Sequence, residues 1–284
     1  MTRLHVTHTT DYRYGAPATV SYNEARMTPQ TDAAQVVLET DLKISPYATT
    51  LSHYRDYWGT KVHTFDLHSR HETLQVTAQA LVEVHRFEKP HAAEGLLDWA
   101  DLAADENFEQ FSDYVPQSKL SAPGDELAEA ARDIASGKTP HETALALFAW
   151  LREEMEYQPG HSQVSWDAET SFKTRKGVCQ DLSHVAVGAL RSLGMPARYI
   201  SGYIHPDPEA AIGTEVAGQS HAWLEWWDGR WHSWDPTNHK PAGEHHILVA
   251  RGRDYADVTP LKGILSGGGP ETTLEVDVRI VRQA

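Results

Sequence analysis

The chain has 284 residues, of which 40% are hydrophobic and 23% are charged, and its formal net charge is −15. This length and composition are typical of a soluble globular protein with one large domain or two smaller ones. The excess of negative charge disfavours binding to nucleic acid or to a membrane surface, so neither is expected as a partner.

The first ninety residues carry the pattern of β-strands. Residues 1–6 contain no apolar signal-peptide core, and no apolar stretch approaches the roughly 20 residues that span a bilayer, so we predict a cytoplasmic protein. Hydrophobic residues then alternate with polar ones from Leu38 to Ile44 and from Leu74 to Val84. Such a period of two indicates antiparallel sheets with one buried face. We therefore predict an N-terminal β-domain over residues 1–90.

The composition changes near Lys89-Pro90, and helices follow. We interpret residues 91–124 as a connecting segment and residues 125–284 as a second domain. Helices are predicted from Asp125, after a capping box that begins at Thr139, and from Cys179, where an apolar face recurs at helical spacing. The stretch between the last two helices, residues 161–177, is predicted to be a loop.

Strands are predicted in the rest of the chain. Residues 197–204 form one, and residues 222–227 and 230–234 form a hairpin around Asp228-Gly229. The alternation at the end predicts a last strand over residues 272–282, which could pack on either domain.

Cys179 is the only cysteine. A single thiol excludes an intrachain disulfide and a multi-cysteine zinc site, and by itself it is most often a buried hydrophobic residue. Here it follows Gly177-Val178 at the junction of a loop and a helix. Free N–H groups at a helix start favour the thiolate form and can also bind an oxyanion. The position therefore favours a nucleophile.

His221 and Asp235 lie on the two strands of the predicted hairpin, and its register decides whether they meet. A two-residue loop at Asp228-Gly229 would pair His221 with Pro236 and turn Asp235 to the other face. A three-residue loop over residues 227–229 would place His221 directly opposite Asp235. We favour the second register, in which the carboxylate orients the imidazole.

Several further residues are weaker candidates. Trp166 could line the acyl site or supply an N–H group to an oxyanion, and Gln180 and His184 could border the cleft; packing explains each equally well. A metal site around His239, His245 and His246 is disfavoured because no spaced ligand pair with a carboxylate stands out. Neither a metal nor a cofactor is therefore expected.

Six segments resemble the transglutaminase-like superfamily, most closely its bacterial branch with an extra N-terminal β-domain. They are Gly177-Val178-Cys179-Gln180-Asp181, residues 191–203, His221-Ala222-Trp223, Asp235-Pro236-Thr237-Asn238, His8-Thr9-Thr10-Asp11-Tyr12-Arg13-Tyr14 and residues 251–258. The resemblance implies an α+β fold with a papain-like catalytic core behind an antiparallel β-sandwich-like domain. It also implies that Cys179, His221 and Asp235 are nucleophile, base and orienting carboxylate.

The same resemblance implies an acyl-enzyme thioester formed from an amide. We expect hydrolysis of a peptide or protein amide, with transfer to an amine, as in protein cross-linking, as the alternative. A non-catalytic peptide-binding module on the same fold and a redox-sensing cysteine stay open as other classes. Neither the substrate nor the oligomeric state follows from the sequence.

Overall fold

The computed structural model describes residues 1–86 and 95–284, so the predicted boundary at Lys89-Pro90 lies outside the described residues. The predicted α+β class with a large N-terminal antiparallel sheet is confirmed. The strands are β1 (Thr2–Ala25), β2 (Gln35–Ser45), β3 (Thr50–Arg55), β4 (Lys61–Leu67), β5 (His71–Val84), β6 (Glu156–Tyr157), β7 (Lys176–Gly177), β8 (Ala197–Ile204), β9 (Glu215–Ala217), β10 (Gln219–Trp227), β11 (Trp231–Trp234), β12 (His246–Gly252), β13 (Leu261–Gly267) and β14 (Thr273–Arg282). The helices are α1 (Trp99–Leu102), α2 (Asp105–Gln110), α3 (Asp125–Ala135), α4 (Pro140–Glu154), α5 (Ala168–Thr174), α6 (Cys179–Ser192) and α7 (Tyr255–Val258).

The N-terminal sheet is organised around β1. The first half of this long strand pairs with β5 and β14, and its second half pairs with β4 and β13. The two halves enclose a core that includes Met27, Phe65, Leu67 and Leu74. Because β13 and β14 come from the end of the chain, that end returns to the N-terminal sheet.

The two strands with alternating sequences, β5 and β2, differ in which of their residues are buried. In β5 every second residue from Leu74 to Val84 is buried, as a period of two requires. In β2 a bulge shifts the register between Val37 and Glu39, and Leu38 is consequently exposed. A bulge adds one residue to one strand, so the residues that face the core change from one set of alternate positions to the other at the bulge. The alternation in the sequence did not reveal this bulge.

A second sheet, in the order β11-β10-β8-β12, is antiparallel throughout and carries α6 on one side. Its helix-facing core includes Leu224 and Trp226 from β10 together with Val185 and Leu190 from α6. On its other side, residues of β8 and β12 share a core with Leu4 and neighbouring residues of the N-terminal sheet. The two sheets therefore hold one continuous apolar interface between them.

The helix starts follow the expected chemistry, with one correction. Thr139 and Glu142 cap each other at the start of α4, as predicted. The predicted loop over residues 161–177 is wrong in part, because it contains α5, which begins after Asp167. The Asp167 carboxylate accepts a hydrogen bond from Thr170 N at 2.8 Å. In the described ranges, no helix has the length and apolar character needed to cross a membrane.

Candidate active site

Cys179 is the first residue of α6 and is half-buried. The turn before it is held by Asp181, whose carboxylate accepts hydrogen bonds from Val178 N at 2.8 Å and from the Ser171 hydroxyl at 3.3 Å. Gly177 leaves room for this carboxylate, because a Cβ atom there would lie 2.5 Å from the Asp181 Cβ. A buried aspartate and a glycine therefore fix the thiol at the helix start.

The start of α6 offers donors for a negatively charged oxygen. The first hydrogen bond of the helix runs from Leu182 N to Val178 O at 3.1 Å. The N–H groups of Cys179, Gln180 and Asp181 precede it and have no carbonyl one turn earlier in the helix. Together with the positive end of the helix dipole, they can stabilise an anion beside the sulfur.

The hairpin that carries His221 and Asp235 has a register that differs from the predicted one. Trp227 pairs with Trp231 and Leu224 with Trp234, so the three-residue loop comprises residues 228–230. The predicted pairing of His221 directly with Asp235 is therefore wrong by two positions. A shift of two preserves the face of a strand, so the two side chains still meet diagonally.

His221 and Asp235 form a buried hydrogen-bonded pair. Nε2 of His221 lies 2.7 Å from Oδ2 of Asp235, and neither side chain is more than 3% exposed. The other oxygen of the carboxylate accepts the backbone N–H groups of Thr237 and Asn238, and the Asn238 amide donates to Oδ2 at 2.7 Å. With His246 Nε2 as a further donor, five donors hold the carboxylate in a single orientation.

One of the five donors is His246, which the sequence analysis considered only as a metal ligand. Its Nδ1 accepts the backbone N–H of Gly243 at 3.1 Å, so its Nε2 carries the proton and donates to Asp235 Oδ2 at 3.0 Å. Burial lowers the pKa of His246 to about 4, so this imidazole is neutral at pH 7. Asp235 is therefore shared by one histidine near the thiol and one behind it.

The electrostatics of the pair favour a charged imidazole. Burial alone would lower the pKa of His221, but hydrogen bonds to Asp235 and Cys179 and the charges of both groups raise it to about 9. Burial alone would raise the pKa of Asp235, yet its imidazole donors hold it well below its ordinary range. Because Asp235 occupies Nε2, Nδ1 is the nitrogen of His221 that can exchange a proton with the thiol.

The weaker candidates have identifiable contacts. The Gln180 side chain donates to Val164 O at 3.0 Å and so ties the preceding loop to the helix start. Trp166 lies in that loop, half-buried, and its backbone N–H donates to Gln163 O. His184 is fully buried and accepts the backbone N–H of Tyr255 at 3.1 Å, which gives it a structural contact.

A small cavity of about 30 Å³ adjoins the site. It is lined by Met155, Tyr157, Leu182, Pro236, Thr237 and His239. Burial and the neighbouring charges of Cys179 and Asp235 raise the pKa of Tyr157, which places this phenol beside the candidate site.

Comparison with known proteins follows the same division of the chain. Residues 4–83 match the bacterial transglutaminase-like N-terminal region, and residues 128–236 match the transglutaminase-like superfamily. An uncharacterized protein of Mycobacterium leprae (strain TN) is 39% identical over the full length of both chains. The chain belongs to the transglutaminase-like superfamily.

Two further proteins are similar to this chain, one in sequence and one in fold. An uncharacterized protein of Mycobacterium tuberculosis (strain ATCC 25618 / H37Rv) is 30% identical over 98% of this chain and 92% of its own length. A crystal structure of a protein from Cytophaga hutchinsonii, named as a candidate cysteine protease, superposes with a TM-score of 0.73 at 18% identity, covering 99% of this chain and 98% of that one. The transglutaminase-like fold with its N-terminal β-domain is thus shown.

Sequence reasoning missed His246 and Asn238 as partners of Asp235. Asn238 was visible as the end of the quoted Asp235-Pro236-Thr237-Asn238 segment, since an aspartate that caps its own turn binds the backbone two and three residues on. His246 had no such signal because it comes from β12, which lies beyond β8 in the sheet. The three ligand atoms of His221, Asp235 and His246 lie within 4.8 Å of one another, but the hydrogen bonds described above already engage them.

Proposed function

We propose that the protein is an amide acyl-transfer enzyme in which Cys179, His221 and Asp235 act as a catalytic triad through a thioester intermediate. The observation that carries this proposal is the buried 2.7 Å contact between His221 and Asp235, together with the hydrogen bond of the same imidazole to the Cys179 thiol at the start of α6. A charged imidazole next to the sulfur favours the thiolate, which is the nucleophilic form of cysteine. Peptide or protein amides are the proposed substrates.

The first half of the reaction forms the thioester. The Cys179 thiolate attacks the amide carbonyl carbon, and the carbonyl oxygen becomes an oxyanion that N–H groups at the start of α6 can receive. The His221 imidazolium then gives its Nδ1 proton to the departing nitrogen as the C–N bond breaks. An amine leaves, and the acyl group stays on sulfur. Asp235 keeps the imidazole in the required tautomer throughout.

The second half releases the acyl group. Neutral His221 takes a proton from a water molecule, whose oxygen attacks the thioester carbon and displaces the thiolate. A carboxylic acid leaves, and the site returns to its starting state. A primary amine in place of water would give a new amide instead. We favour water, and the name of the similar Cytophaga protein accords with hydrolysis.

The choice between water and amine has a direct test. Peptides that contain glutamine, and peptides with an ordinary scissile bond, are incubated with the protein in H₂¹⁸O with and without a dansylated alkylamine. Hydrolysis predicts one ¹⁸O atom in the product acid and little dansyl incorporation. Predominant dansyl incorporation would favour cross-linking. Absence of turnover across broad libraries, with peptide binding retained, would favour a binding module.

A further inference from the structure

A second cluster of histidine and aspartate lies away from the candidate active site. Asp228 is in the loop between β10 and β11, His232 is on β11, and His141 is in the first turn of α4. Asp228 follows His221 by seven positions along an extended strand, which separates the two clusters by roughly 20 Å. All three residues are buried, with exposed fractions of 0%, 8% and 9%.

Asp228 lies between the two imidazoles. Its Oδ2 is 2.8 Å from Nδ1 of His141, and its Oδ1 is 2.5 Å from Nε2 of His232. One ligand atom from each of the three residues lies within 4.8 Å of the other two. Ligand atoms of one tetrahedral zinc ion are about 3.3 Å apart, so an ion bound here would replace the protons at these two shorter N···O contacts and move each pair of atoms apart by roughly 0.5 to 0.8 Å.

The surroundings hold the three side chains in position. The indole ring of Trp226 stacks on His232, with ring centroids 4.8 Å apart and an angle of 20°. The loop itself is fixed by backbone hydrogen bonds from Leu97 N to Asp228 O and from Asp228 N to Arg230 O. Rigid backbone and stacked rings are the support that a metal ligand set needs.

The two clusters differ in how their carboxylates are engaged. Asp235 receives five hydrogen bonds, including two from backbone N–H groups. Within the part of the chain that the structure describes, each oxygen of Asp228 contacts one imidazole nitrogen. Each carboxylate oxygen has two lone pairs, so Asp228 can contact a cation in a way that Asp235 cannot.

We propose that His141, Asp228 and His232 bind a zinc ion that joins the start of α4 to the β10–β11 hairpin. Two imidazoles and one carboxylate suit zinc, whereas calcium and magnesium prefer oxygen ligands alone. The fourth position is taken by water or another ligand. The site is separate from the thiol and stands whether or not the proposed amide chemistry is correct.

The test uses metal-stripped protein carrying Cys179→Ala, so that the thiol cannot bind the ion. Zinc is titrated by calorimetry, cobalt is followed by its visible absorption, and the melting temperature is measured with and without zinc. We expect one equivalent to bind and the melting temperature to rise. His141→Gln and His232→Gln should each weaken zinc binding at least tenfold and abolish the rise.

His161→Gln serves as the matched control, because His161 is an exposed histidine in a loop, and it should bind zinc like the parent protein. Circular dichroism of each metal-free variant establishes that it is folded. Equal zinc affinity in His141→Gln, His232→Gln and the parent would overturn the proposal. So would loss of binding in His246→Gln alone, because that result would place the ion at the candidate active site.

Discussion

Replacing Cys179 by alanine should reduce amide turnover by about 10⁴-fold or more, to the background rate. The reason is that the protein has a single cysteine and the proposed thioester has no other sulfur to form on. The expected measurement is steady-state hydrolysis of the best peptide found in a library, together with intact mass spectrometry of quenched reactions. Wild type should show the mass of an acyl adduct, and the variant should show none.

Ser192→Ala is a suitable control for this substitution. Ser192 is the last residue of α6, at the end opposite the thiol, and its hydroxyl donates to Ala189 O. This variant should keep both turnover and the acyl adduct. Equal turnover by wild type and Cys179→Ala would show that the reaction does not pass through this residue.

Replacing Asp235 by asparagine should impair both catalysis and folding. A neutral amide cannot hold His221 in its charged form, and we expect kcat to fall on the order of 10³- to 10⁴-fold. The variant also leaves two buried imidazoles facing an uncharged group, which should lower the free energy of unfolding by about 3 kcal/mol. Peptide turnover and chemical denaturation measure the two effects.

Substitution of a second buried aspartate, Asp66, distinguishes the loss of catalysis from the loss of stability. Asp66 lies in the N-terminal sheet and contacts an imidazole nitrogen of His68 at 2.6 Å. Asp66→Asn should lower the free energy of unfolding but leave kcat within a few-fold of wild type. If both variants lost activity in proportion to their loss of stability, Asp235 would be a structural carboxylate rather than part of a triad.

The parts of the fold that could be predicted from the sequence are those that depend on residues close together in the chain. The alternation in β5 and the capping box of α4 each depend on neighbouring residues, and both have the predicted structure. The hairpin was placed correctly, but its register was not, because Arg230 belongs to the loop rather than to β11. The face of the strand was right because an error of two positions preserves it.

The rest depends on contacts between distant segments. Helix α5 is short, and its main signal was one capping residue, Asp167, inside a stretch that otherwise resembles a loop. His246 reaches Asp235 only because β12 packs beside β8, and His141 reaches Asp228 only because α4 packs near the hairpin. Neither juxtaposition is encoded in residue spacing along the chain.

The most direct test of the proposed nucleophile needs no substrate. Alkylation of Cys179 by iodoacetamide can be followed by mass spectrometry from pH 5 to pH 10, and it is unambiguous because the chain has one cysteine. His221, whose pKa is raised to about 9, stays an imidazolium ion over most of this range, and the proposed triad therefore predicts a substantial alkylation rate well below pH 8. His221→Ala should abolish that low-pH reactivity. A wild-type rate that rises only through about pH 8.5, as for a free thiol, would contradict an activated Cys179.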